Sequence, residues 1–222
     1  MTCTDHPGLA GVLESQTLDL RAAAPGSGDT DGPMLKVQVS IRHMHICRAH
    51  MDALFGPGSE LTFDHALYQE GYFAAKETVT IVGRKGRSIP NLRLVGPMRA
   101  ASQVEIAFTD AIALGLPEVP FRVSGNVEGS PGALLIGPAG RVHLERGLIR
   151  TAIHVHMNPA EAAHFGVVQG DRMHLRIAGP CGLTFDNVHV RVDPRWRLNV
   201  HMDTDEANAC GLHLAHDFEL FK

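Results

Sequence analysis

No apolar run in this 222-residue chain approaches the ~20 residues needed to span a bilayer. Its first residues also lack the basic stretch followed by an apolar one that marks a secretory signal. Cysteine is sparse. Cys3, Cys47, Cys181 and Cys210 lie far apart and form no C-x-x-C, which argues against a disulfide framework or a cysteine zinc knuckle. No long Lys/Arg block is present and the formal charge is −4, so nothing is built to neutralise nucleic-acid phosphates. There is no G-x-S-x-G serine elbow. The Gly-rich "GNVEGSPG" (125–132) lacks the G-K-[ST] ending of a phosphate loop and reads as a turn. Covalent nucleophilic catalysis therefore ranks below metal-assisted transfer or hydrolysis. These absences lead us to expect a cytoplasmic protein with neither nucleic acid nor membrane as partner; a homo-oligomer is a separate expectation that they do not bear on.

Histidine is what the chain has in plenty, with 14 residues. "IRHMHIC" (41–47) and "IHVHMNP" (153–159) each carry an H-x-H. Alternate residues of a strand share a face, so His43 and His45 form one imidazole pair and His154 and His156 another. A single H-x-H is more often a partly exposed or satisfied core pair than a metal site. Two copies weigh differently.

From Lys36 onward, short alternating runs bounded by Gly and Pro predict a mainly β protein of barrel or sandwich type. Such runs are "KVQVSI", "ETVTIVG", "NLRLVGP", "SQVEIAF", "ALLIGP", "RVHLE", "RMHLRIAG" and "NVHVRVD". Short helices are expected at "RAHMDALFG" and "PAEAAHFG", each following an H-x-H and each ending at a glycine. Asn158, Pro159 and Glu161 predict an N-cap, a proline first turn and a capping box, with Cys47 at the matching place in the first copy. Residues 1–33 read as a flexible N-terminal extension. A weak helical pattern through Leu9, Val12 and Leu13 is followed by a Pro/Gly/Ser/Asp linker over 22–33.

The chain repeats itself. A shift of 111 carries His43 and His45 onto His154 and His156; a shift of 96 carries Glu105 onto His201. Each half thus offers three ligand-capable residues: His43, His45 and Glu105 in one, His154, His156 and His201 in the other. Three N/O ligands leave an open position on a divalent metal, the usual catalytic arrangement, and suit zinc first, with cobalt, manganese, iron and nickel behind it. Two such triplets together would make a two-metal centre. Arg99, after a Gly-Pro turn, could fix an anionic substrate with its planar fork. Pairing with a carboxylate is the reading that sequence alone favours for it.

Those same segments carry a resemblance. "VSIRHMHIC", "GPMRAASQVEIAFTDA", "SGNVEGSPG", "HVHMNPAEAAHFGV", "GLTFDNVHVRV" and "HMDTDEANACG" resemble the PduL-type phosphate acyltransferases (phosphate propanoyltransferases) over about residues 35–212. The resemblance implies two β-barrel domains capped by short α-helices, the N-terminal strand joining the C-terminal half. On this chain that means 34–46 plus 155–222 for the first barrel and 47–154 for the second, with the active site between them. It implies two zinc ions and the exchange of acyl-CoA (propanoyl- or acetyl-CoA) plus phosphate for acyl phosphate plus CoA. His43, His45 and Glu105 match the ligands of one metal; His154, His156 and His201 match those that complete the site. Arg99 matches the arginine that receives phosphate, which reverses the reading from sequence alone. Glu105 could instead serve as a base. Cys47 departs from the family's usual Ser or Thr, and a thiolate there could compete for the metal. Relatives in bacterial microcompartments carry an N-terminal extension that packs them into the shell, so residues 1–33 could be an encapsulation peptide and the lumen the location. A hydrolase using the same centre and a non-catalytic metal-binding module are the competing readings.

Overall fold

The computed structural model describes residues 17–21 and 33–222. In chain order the elements begin β1 (Thr17–Arg21), β2 (Met34–Val39), β3 (His43–His45), α1 (Arg48–Phe55), β4 (Phe63–Ala66), β5 (Phe73–Val82) and β6 (Ser88–Gly96). Next come β7 (Gln103–Glu105), α2 (Phe108–Ala113), β8 (Phe121–Arg122), β9 (Ala133–Ile136), β10 (Arg141–Leu144) and β11 (Leu148–Thr151). The remainder is β12 (His154–Met157), α3 (Pro159–His164), β13 (Arg172–Ala178), β14 (Leu183–Val192), β15 (Asn199–Met202), α4 (Thr204–Ala209) and β16 (Asp217–Phe221).

The strands form two sheets. One runs β1-β2-β15-β12-β14-β13-β16 and closes most of the way into a barrel, with β1 beside β16. The other runs β10-β9-β5-β6-β3-β7-β11-β8, with β4 on β5, and curves as half a barrel. The mainly β expectation holds, and all eight runs read from the sequence are strands. The domain boundaries need correction. β3 pairs with β6 and β7, so His43–His45 belong to the second sheet, not to a segment 34–46 in the first. β12 lies between β14 and β15, so His154 belongs to the first sheet rather than closing a segment 47–154. The chain therefore crosses at 40–42 and again at 152–153, ahead of each H-x-H. Part of the extension is also strand: β1 pairs antiparallel with β2. The helical pattern through Leu9, Val12 and Leu13, and the linker over 22–32, lie outside the described residues.

The internal repeat extends to strand register. His43 lies opposite Glu105 in β7 and beside Arg93 in parallel β6; His154 lies opposite His201 in β15 and beside His189 in parallel β14. Shifts of 111 and 96 relate every member of the two sets. Between the histidines, Met44 and Val155 point the other way and are fully buried, as are Ile46 and Met157. Each belongs to the apolar core of its own sheet. Burying such side chains contributes roughly 1.5–3 kcal/mol apiece, which fixes which face the imidazoles take.

Candidate active site

Each H-x-H is held rigidly by what precedes and follows it. His43 Nδ1 donates to the carbonyl of Ile41 at 2.9 Å, and His154 Nδ1 donates to that of Ala152 at the same distance. This sets the tautomer and leaves Nε2 bare for a metal, the second partner a ligating histidine usually has. The helix after β12 starts as expected: Asn158 accepts from Ala160 and Glu161, and Glu161 returns a bond to the Asn158 N–H at 2.8 Å. Cys47 caps α1 in position only, without a side-chain cap bond. Its thiol is approached by Ser102 Oγ at 3.4 Å, and it belongs to neither ligand set among the described residues.

The candidate ligands gather as two triads, His43–His45–Glu105 and His154–His156–His201. Within each, ligand atoms lie no more than 4.8 Å apart. Glu105 Oε2 is 3.7 Å from His43 Nε2, and Oε1 is 3.7 Å from His45 Nε2. In the second triad, His156 packs 4.8 Å from the rings of both His154 and His201, with Trp196 at 4.2 Å. One pocket between the sheets is lined by Glu105, His154 and His201 together, so the triads face a common space.

The electrostatics suit metal ligands. Burial, with His43 beside it, lowers the pKa of His45 to about 3. Burial lowers His154 to about 4 and, with His154 adjoining, His201 to about 3. His156 is pushed down further by burial and the same neighbours. These imidazoles are neutral at neutral pH, the form that binds metals. Both nitrogens of His156 are buried without a hydrogen-bond partner, and a coordinated cation would satisfy one of them. Burial alone would raise Glu105, yet His43 and His45, with hydrogen bonds from Ser124 and Thr151, hold its carboxyl well below the usual range. The residues present fit two divalent cations.

Several residues around the candidate ligands were not read from the sequence. Ser124 Oγ donates to Glu105 Oε1 at 2.6 Å, Gln103 Nε2 donates to the same oxygen, and Thr151 Oγ1 donates to Oε2. Gly125 makes this cradle possible. Its φ of +99° turns the chain so that its N–H meets Gln103 Oε1 at 2.8 Å. Arg191 is the other omission. It lies on β14 beside His156, 5.1 Å over the Trp196 ring, and burial lowers its pKa. Burial does the same to Arg99, whose N–H bonds to the Ile46 carbonyl at 2.9 Å just after β3. The expectation that Arg99 pairs with a carboxylate is not met: among the described residues, neither arginine forms an ion pair with a carboxylate. Both guanidiniums feel the charge of Glu105 and of each other. Arg191 sits in the ordinary alternation of "NVHVRV" and carries no motif, which is why it escaped notice. Among the described residues, His143, His174 and His189 join neither triad; His174 bonds Asp186 at 2.6 Å.

Two similar β modules thus turn two His/Glu triads that could hold metal toward one pocket, and among the described residues Arg99 and Arg191 near Glu105 have no carboxylate ion-pair partner. The phosphate propanoyltransferase family model matches residues 36–213, and the chain belongs to that family and is an acyltransferase. It is 48% identical over 212 residues to a phosphate propanoyltransferase of Planctopirus limnophila, covering 93% of this chain and 86% of the relative. A Rhodobacter capsulatus phosphate propanoyltransferase is 44% identical over 201 residues, covering 90% and 93%. One from Salmonella typhimurium is 45% identical over 181 residues, covering 81% and 85%. Among the described residues, no helix is long and apolar enough to cross a membrane.

Proposed function

We propose that the chain interconverts acyl-CoA plus phosphate with acyl phosphate plus CoA, with propanoyl or acetyl as the acyl group, at a centre built for two zinc ions. The observation that carries this reading is the meeting of two ligand triads around one pocket beside two carboxylate-free arginines. His43, His45 and Glu105 would hold one ion; His154, His156 and His201 would hold the other. Zinc bound there would supply Lewis-acid stabilisation of developing negative charge and a borderline-soft partner for a thiolate.

The protein groups account for the rest. Arg99 receives phosphate through its planar fork, and Arg191 adds a second, half-buried positive charge near enough to feel Arg99. Fixing phosphate against the thioester removes the entropic cost of a bimolecular encounter. A phosphate oxygen attacks the thioester carbonyl carbon; the C–O bond forms and the C–S bond breaks. The proton of hydrogen phosphate ends on the departing sulfur, giving acyl phosphate and CoA thiol. Both oxygens of Glu105 already accept hydrogen bonds, which favours a ligand over a mobile base.

The test follows thiol release from propanoyl-CoA with and without phosphate, alongside acyl phosphate. Phosphate-dependent release matched by acyl phosphate supports the transferase. Release indifferent to phosphate would make the chain a hydrolase, and tight metal without turnover a binding module. Shell targeting by the extension is a separate proposal. Removing residues 1–16 keeps β1, and unchanged co-purification with shell proteins would dispose of it.

A further inference from the structure

The register of the two modules pairs a further two residues. Ser40 and Thr151 are related by the same shift of 111 that relates His43 to His154. Each follows a strand segment parallel to one bearing a third ligand. In β2, Gln38 aligns with His201; in β11, Ile149 aligns with Glu105. After each hydroxyl residue the chain crosses to the other sheet and delivers an H-x-H. Ser40 and Thr151 both line the pocket between the triads.

Their situations differ. Thr151 spends its hydroxyl proton on Glu105. Ser40 has an imidazole, not a carboxylate, at the equivalent place. Its backbone N–H is tied to the Met202 carbonyl at 2.7 Å, which fixes its position. Its Oγ makes no side-chain hydrogen bond among the described residues. A half-buried hydroxyl held rigidly in a pocket, with its donor unused, is preorganised for something that enters.

We propose that Ser40 is a substrate-contacting residue whose hydroxyl donates to the acyl oxygen as negative charge develops there. This rests on the acyl-transfer reading above. The guanidiniums of Arg99 and Arg191 match phosphate in charge and shape, and Thr151 is engaged. Ser40 is the neutral donor left in the pocket for the other oxygen of the reaction.

The experiment compares Ser40→Ala and Ser40→Thr with wild type for phosphate-dependent acyl transfer, while measuring bound metal. Loss of the hydroxyl is expected to lower kcat about 100-fold, the low end for removal of one oxyanion donor. The KM for phosphate should stay within about twofold and the metal content should not change. Ser40→Thr should recover most of kcat, because the pseudo-equivalent position already holds a threonine. An alanine variant with wild-type kcat would overturn the proposal. So would one that loses metal, since the hydroxyl would then support the ligands, or a threonine variant as slow as alanine. A wild-type chain without phosphate-dependent transfer would instead refute the acyl-transfer reading itself, and the proposal with it.

Discussion

His43 stands directly opposite Glu105 across antiparallel β3 and β7, with Nε2 3.7 Å from Oε2. His154 repeats the relationship with His201 across β12 and β15, the carboxylate replaced by imidazole. The two triads share a backbone plan and differ in one ligand. That difference reaches outward: a carboxylate needs donors around it, and Gln103, Ser124 and Thr151 provide them.

Thr151→Val keeps shape and removes one of those donors. We expect metal affinity to fall about 10- to 100-fold, the usual cost of losing a partner behind a ligand. Thr151→Ser should restore it. Competition with a chromophoric chelator measures both, and unchanged affinity in the valine variant would deny the cradle its role.

Arg99→Ala should raise the KM for phosphate about 10-fold or more, the cost of a lost charged hydrogen bond. Arg191→Ala should do the same in part, leaving the KM for acyl-CoA less affected. Steady-state kinetics with phosphate varied decides it; a normal phosphate response in Arg99→Ala would remove that residue from the anion site.

Glu206 predicts a pH effect with a definite sign. Burial, with Asp203 beside it, raises its pKa to about 7, although its carboxyl accepts the Asp203 N–H at 2.8 Å. The folded state keeps this proton between pH 4.5 and 7 while the unfolded chain releases it. The associated stability is therefore present below about 4.5 and lost as pH rises through 7. Glu206→Gln removes the titration, so its melting temperature should gain on wild type as pH rises across that window. A constant difference from pH 4.5 to 8 would count against it.

Asn158→Ala removes the side chain that accepts from Ala160 and Glu161 at the start of α3. A loss of about 1 kcal/mol is expected, the typical cost of an N-cap. Denaturant unfolding measures it. Cys47→Ala, at the equivalent place but without a cap bond, should cost less and leave bound metal unchanged.

Much of this was legible in the sequence because duplication writes itself twice. The H-x-H pairs, the Glu105/His201 correspondence and the Asn158 cap depend on local spacing, which strands and helix starts preserve. The crossing points were less legible. Whether His43–His45 extends the sheet of β2 or joins β6 and β7 depends on pairing between distant strands, and both choices satisfy the same alternation. Arg191, Ser124 and Gln103 reach the site through tertiary packing alone. Ser40 and Thr151 were accessible in principle, since the shift relating the histidines relates them too. Their hydroxyls carry no motif, and only register places them beside the third ligands.

The central claim is a two-metal centre made by two triads, and elemental analysis of the purified, active chain tests it most directly. The account predicts two zinc ions per chain. An active preparation with one metal or none would contradict it.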